Sequence, residues 1–142
     1  MLDKTAMRFQ ARVMTLAQER FGASCEGRDA EPFLEQVYRD YVAAGSPERL
    51  EEWIERRLQG VFLSIGDPPR WVEDEPAWPF FEGRPMVFVS QTSLKKNIIT
   101  EKDLTWDEEV YLFGIRIPLS KGYRVEYRVV TQHPGIDGTG LR

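Results

Sequence analysis

Apolar residues recur at three- and four-residue steps through the first half of the chain and at every second position near its end, so helices should precede strands. From Thr5 to Phe21, the residues Ala6, Phe9, Val13, Leu16 and Ala17 share one stripe, while Arg8, Arg12, Gln18 and Glu19 fall mostly off it. This predicts a first helix over 5–21, capped by Asp3 or Thr5 and ended by Gly22. A polar loop through Cys25, Gly27 and Arg28 leads to a second helix over 30–44, with Asp29 as its N-cap. Pro32 fits there because the first turn has no partner for the missing N–H. Phe33, Leu34, Val37, Tyr38 and Tyr41 form its apolar face, and Gly45 stops it. Ser46-Pro47 followed by Glu48 has the form of a helix start, predicting a third helix over 47–59. Its buried stripe is Leu50, Trp53, Ile54 and Leu58, with Glu52–Arg56 as an outer i,i+4 pair. Val61 to Ile65 fits a short strand or a last helical turn.

Asp67-Pro68-Pro69 breaks regular structure. The stretch that follows is rich in proline, acid and tryptophan, and Trp71, Trp78, Phe80 and Phe81 are expected to fold back onto the domain. Met86 to Gln91 reads as a central strand, being apolar on both faces through Val89. Glu109 to Ile117 and Tyr123 to Thr131 read as strands joined through Ser120-Lys121-Gly122, a link too short for a parallel crossover. In the last of them Tyr123, Val125, Tyr127 and Val129 alternate with Arg124, Glu126 and Arg128, which predicts a buried apolar face and a wet charged one. Ser93 to Glu108 is polar, with a possible helical turn at Thr100–Asp103, and the glycine-rich tail 133–142 is expected to be flexible. The expectation is a single domain over 1–142 with an α+β fold, its N-terminal helices (1–60) packed on a C-terminal antiparallel sheet (86–132) and an aromatic loop (61–85) between them.

Composition narrows the function. At 142 residues, 42% apolar and 30% charged, the chain is ordinary for a globular domain. The net charge of −4 is split. Up to Gly83 there are 10 Lys and Arg against 16 Asp and Glu, and from Arg84 onward 9 against 7. Such a distribution argues against nucleic-acid binding, which concentrates Lys and Arg on one surface. No apolar run reaches the ~20 residues of a membrane span. The start of the chain does not read as a secretory signal, and a lone cysteine gives no internal disulfide, so cytoplasm is the expected compartment.

Candidate chemistry is sparse. His133 is the only histidine, and it stands at a strand end beside the glycine-rich tail, a poor place to hold a base rigid. Cys25 reads as a small buried side chain more readily than as an activated thiol. One Cys and one His cannot make a four-ligand zinc site. The acidic triplets Glu73-Asp74-Glu75 and Asp107-Glu108-Glu109 lack the spacing of a cation loop, and no phosphate-cradling glycine loop is present. No catalytic residue, metal or cofactor is therefore expected.

The segment Trp78-Pro79-Phe80-Phe81-Glu82-Gly83-Arg84-Pro85-Met86-Val87-Phe88-Val89-Ser90-Gln91, with Leu94 after it and Val110-Tyr111-Leu112-Phe113 beyond, resembles the central motif of the YwqG-like family. The resemblance covers about a quarter of the chain. It implies an α+β fold in a widespread bacterial family without an established activity, and it implies no catalytic residue. Read physically, Pro79, Gly83 and Pro85 shape a turn, Trp78 anchors the loop against the sheet, and Gln91 hydrogen-bonds the loop's backbone. Alternatively, Trp71, Trp78, Phe80 and Gln91 are candidate binding residues, with Gln91 as a specificity donor in a cleft. The leading functional expectation is a non-enzymatic interaction domain that recognises or neutralises another protein. The rival is a small-molecule domain or enzyme with a cleft near Trp78 and Gln91. A flat exposed aromatic patch would favour the first, and an apolar closed pocket the second.

Overall fold

The helical stripes follow from the periodicity. A computed structural model describes residues 4–98 and 104–133. Helix α1 spans Lys4–Phe21 and buries Ala6, Phe9, Val13, Leu16 and Ala17. Gly22 ends it in the left-handed region (φ 62°), and the Ala23 N–H returns to the Ala17 carbonyl. Helix α2 spans Glu31–Ala43 and α3 spans Leu50–Leu58. Asp3 lies outside the described residues, and Ala30 rather than Asp29 occupies the N-cap of α2. The Asp29 carbonyl instead accepts the Gly83 N–H at 2.9 Å.

Ser46-Pro47 does not open α3. Gly45 (φ 89°) and Ser46 (φ 49°) are both left-handed. The Gly45 N–H bonds to the Val42 carbonyl and the Ser46 N–H to the Tyr41 carbonyl, the pattern of a Schellman closure. The Tyr41 hydroxyl then donates to the Pro47 carbonyl at 2.6 Å, and α3 begins only at Leu50. The serine is used to satisfy the end of α2. Val13, Leu16, Val37, Ile54 and Leu58 fill the space between the three helices, each contributing about 1.5–3 kcal/mol if fully buried. Arg12–Glu51, Arg20–Glu55 and Arg57–Asp40 tie the helices at the surface, where such pairs are each worth no more than about 1 kcal/mol. Glu52 pairs with Arg49 on its own helix.

A small hairpin completes this unit. Strand β1 (Phe80–Phe81) pairs with β2 (Arg84–Pro85) across Glu82 (φ 48°) and Gly83 (φ 77°), a two-residue turn with both central residues left-handed. The Trp78 Nε1–H donates to the Met86 carbonyl at 2.8 Å, and its ring stands edge-on to Phe62. Phe80 packs on Phe33 at 5.5 Å between centroids. Trp78 is thus anchored in the aromatic cluster of the helices, where the sequence had placed it against the sheet.

The fold is α+β, with three N-terminal helices and a C-terminal antiparallel sheet. Among the described residues it forms two compact units: the chain up to Leu63 with Pro76–Met86, and Ser64–Glu75 with the strands from Val87 onward. The aromatic stretch 61–85 is therefore shared between the two. In the second unit, β3 (Val87–Ile98), β4 (Leu104–Pro118) and β5 (Tyr123–Gln132) lie in the order β3-β4-β5, so β4 is central and β3 is not. The β3–β4 ladder continues to Ile98↔Leu104, through residues whose polarity had suggested a loop. Ladder bonds are made by the backbone, so polar side chains do not forbid them. A bulge between Phe88 and Ser90 shifts the register, which explains the unbroken apolar run through Val89. Neither alternative for 61–65 holds: Ser64 makes an isolated parallel bridge to Phe88, and the Ile65 N–H bonds to the Phe88 carbonyl. The suggested turn at Thr100–Asp103 and the tail Gly135–Arg142 lie outside the described residues.

Gly83 is the glycine the hairpin cannot replace. A Cβ there would stand 2.7 Å from the Pro32 Cβ, besides requiring a positive φ. Gly60 has a similar φ of 76° with nothing within 4 Å. Gly60→Ala should cost about 1 kcal/mol and Gly83→Ala about 2–4 kcal/mol, read as shifts in urea midpoint. Equal losses would show that Pro32 simply gives way.

Candidate functional site

The four residues singled out in the sequence separate into two pairs. Trp78 and Phe80 are buried in the helical unit, and both pack on Phe62. Trp71 and Gln91 belong to the sheet unit and meet at the loop through Arg70. Trp71 lies over Tyr111 at 4.7 Å and is nearly parallel to Phe113. Gln91 accepts the Arg70 N–H at 2.8 Å and donates to the Arg70 carbonyl and to the Glu109 carboxylate. The loop it holds is the one at Arg70, not the turn at Gly83. Both of its amide hydrogens are spent there, which weakens its candidacy as a specificity donor. The cleft beside it, about 220 Å³, is lined by Ile65, Pro68, Arg70, Phe88 and Ser90.

A second glutamine, not singled out by the sequence pattern, holds the same loop. Gln132, nearly fully buried, accepts the N–H groups of Val72 and Glu73 and donates to the Glu75 carbonyl. The Tyr111 hydroxyl donates to the Arg70 carbonyl at 2.7 Å. Burial, then the charge of Glu109, pushes that phenol up to about 12. A partial signal was available: Gln132 ends a strand four residues beyond its last charged position, Arg128, where a polar side chain must find a partner if buried.

The thiol and the imidazole belong to different units. Cys25 is buried in the helical unit, and burial pushes its thiol up to about 12. His133 lies in the sheet unit, its backbone N–H on Glu73 and its ring 4.0 Å from the Glu108 carboxylate. Among the described residues, no three His, Cys, Asp or Glu side chains form a group that could hold a metal ion. No helix of the described residues is long and apolar enough to cross a membrane.

The alternation in β5 is real, but its orientation is the reverse of the expected one. Tyr123, Val125, Tyr127 and Val129 are 54%, 37%, 62% and 57% exposed. Glu126, Arg128 and Val130 are half-buried, and Gln132 is buried. The inner face is set by the central strand, where Tyr111, Phe113 and Ile115 are buried. Residues opposite one another share a face, so Val130 beside Tyr111 and Arg128 beside Phe113 must follow them inward. The outward stripe is ordered: Tyr127 lies across Gly114, whose missing side chain makes the room, and the Arg116 guanidinium stacks 4.5 Å from the Tyr123 ring. The result is an exposed patch of aromatic and aliphatic side chains. Elsewhere, a groove of about 420 Å³ runs past Phe9, Tyr38, Tyr41 and Leu50 in the helical unit, but the Tyr41 hydroxyl is already bonded to Pro47 and Arg12 to Glu51.

No protein-family model, curated protein or solved structure matches this chain.

Two measurements check these assignments. Gln132→Leu should lower stability by about 1–3 kcal/mol, the cost of leaving loop backbone groups unpaired, and should speed tryptic cleavage after Arg70. An unchanged cleavage rate would mean that the glutamine does not hold the loop. For Cys25, the folded value lies above that of an unfolded thiol, so its stabilising contribution is complete below about pH 8.5 and is lost as pH rises toward 12. A disulfide reagent at about pH 8 should label Cys25 only after unfolding, and fast labelling of the native protein would contradict its burial.

Proposed function

We propose that this chain is a non-enzymatic protein-recognition domain whose contact surface is the outward face of its sheet. The observation that carries this reading is the exposed β5 stripe of Tyr123, Val125, Tyr127 and Val129. Isolated exposed apolar residues are commonplace, but an ordered aromatic patch with an arginine in it has the composition of an interface core. The scarcity of reactive groups supports the same reading, since the thiol is buried and belongs to a different unit from the imidazole. Kinship with the YwqG-like family is compatible with it, because that resemblance brings no catalytic residue. The rival reading, a small-molecule site beside Gln91, is weakened by the loop bonds that occupy its amide.

Site-specific photocrosslinking in cells tests the proposal. A photoreactive residue in place of Tyr127 should give discrete protein adducts that the same residue in place of Arg39, exposed on α2, does not. Identical adducts from both positions, or none from position 127, would overturn it.

A further inference from the structure

The β5 face is continuous with an edge. The sheet order leaves β5 with β4 on one side, and among the described residues no strand pairs with its other side. This edge is ten residues long, contains no proline, and runs without a register shift against β4. Native sheets usually protect such an edge with a bulge, a proline, extreme shortness or inward-pointing charges. β5 has only the last, in Glu126 and Arg128, so an added strand fits only where it sets opposite charges against them, whereas β3 carries a bulge.

Resting on the recognition reading above, we infer that the occupant of this edge is a second copy of the chain, paired antiparallel through β5 about a two-fold axis at Tyr127. Charge and overlap together select this register, since an axis at Val125 would also oppose unlike charges, Arg124 and Glu126, but pairs only part of the strand. In an antiparallel pair related by a two-fold axis normal to the sheet, opposed residues lie on one face, and their numbers share a constant even sum. An axis at Glu126 would place Glu126 opposite its own copy, and an axis at Arg128 would do the same for the arginine. Both oppose like charges. An axis at Tyr127 places Glu126, which also meets Arg124 of its own strand, opposite the second copy's Arg128, and Arg128 opposite its Glu126, two attractive pairs from one contact. It also sets Val125 against Val129 and Tyr123 against Thr131, so the outward stripe runs unbroken across both copies. Nearly the whole of β5 overlaps in this register, while axes nearer either end pair only part of the strand. The two three-stranded sheets become one of six strands, and backbone N–H and C=O groups now at the edge gain partners.

The test is sedimentation equilibrium of the purified chain at concentrations up to about 0.1 mM, well above the micromolar range of weak specific complexes. The expected mass is twice the 16.5 kDa of one chain. Tyr127→Lys, which sets like charges on the axis, should give a monomer that keeps the parent's circular dichroism spectrum, with a melt that no longer depends on protein concentration. Glu126→Arg alone and Arg128→Glu alone should each weaken dimerisation by about tenfold or more, and the double variant E126R/R128E should recover it. A monomeric parent chain overturns the inference, as does a dimer indifferent to Tyr127→Lys or unrecovered in the double variant. A monomeric parent that still crosslinks through position 127 to another protein would remove the dimer and keep the recognition reading. Absence of every adduct at 127 would remove that reading itself.

Discussion

A loop laid over a sheet has to find partners for its own backbone, and in this protein three side chains provide them. Residues 70–75 form no ladder with the strands beneath them. Gln91 from β3, Tyr111 from β4 and Gln132 from β5 meet the backbone groups of Arg70, Val72, Glu73 and Glu75. With those bonds made, Trp71 can sit on Tyr111 and Phe113 without stranding polar groups in an apolar place. The same contacts decide which face of the sheet is inside. A one-residue slip in any strand would turn its donor outward and leave the loop unpaired.

The outward stripe follows from that choice. β5 carries Tyr and Val on one side and Arg and Glu on the other, and hydrophobicity alone would turn the first side inward. The strand has no independent choice, because its register with β4 ties Gln132 to Glu109 and Val130 to Tyr111. Tyr111, Phe113 and Ile115 fix the inner face of the middle strand, and the edge strand follows. Its apolar residues therefore face outward, and the recognition reading rests on this conflict between strand and sheet. Local and global preferences usually agree in natural sequences, so a persistent disagreement marks a place where function is the better explanation.

The legibility of the sequence divides along the range of the forces involved. Helix stripes are local, and Ala6, Phe9, Val13, Leu16 and Ala17 could be read directly as the buried face of α1. Strand alternation in β5 was equally visible, yet periodicity states that two faces differ and not which one is covered. Ser46-Pro47 misled because serine serves both as an N-cap and as a left-handed residue after a glycine, and only the bonds to Tyr41 and Val42 distinguish the two. The extension of β3 to Ile98 was hidden by polar side chains that the ladder tolerates. Gln91 was identified as a residue that binds loop backbone, but its partner, Arg70, lies 21 positions away, a pairing that no local pattern encodes. Of the four candidate site residues, Trp78 and Phe80 pack among the aromatic rings of the helical unit, and Trp71 and Gln91 meet at the Arg70 loop of the sheet unit.

An open edge and an open face on one strand have a common origin. Gln132 and Val130 commit β5 to follow β4 inward on one side, which leaves its Tyr-Val stripe exposed, and among the described residues no strand pairs its second backbone edge. A partner that engages both gains ladder bonds and apolar burial in a single contact, as in strand addition to a sheet edge. A partner that engages the face alone must leave the edge to water. The exposed stripe would by itself suit many apolar surfaces. The alternating Glu126 and Arg128 on the reverse side restrict the choice, since an added strand must offer an acid and a base at matching positions or bury like charges side by side. On the recognition reading, specificity at this strand would come from the charged face, and affinity from the apolar one.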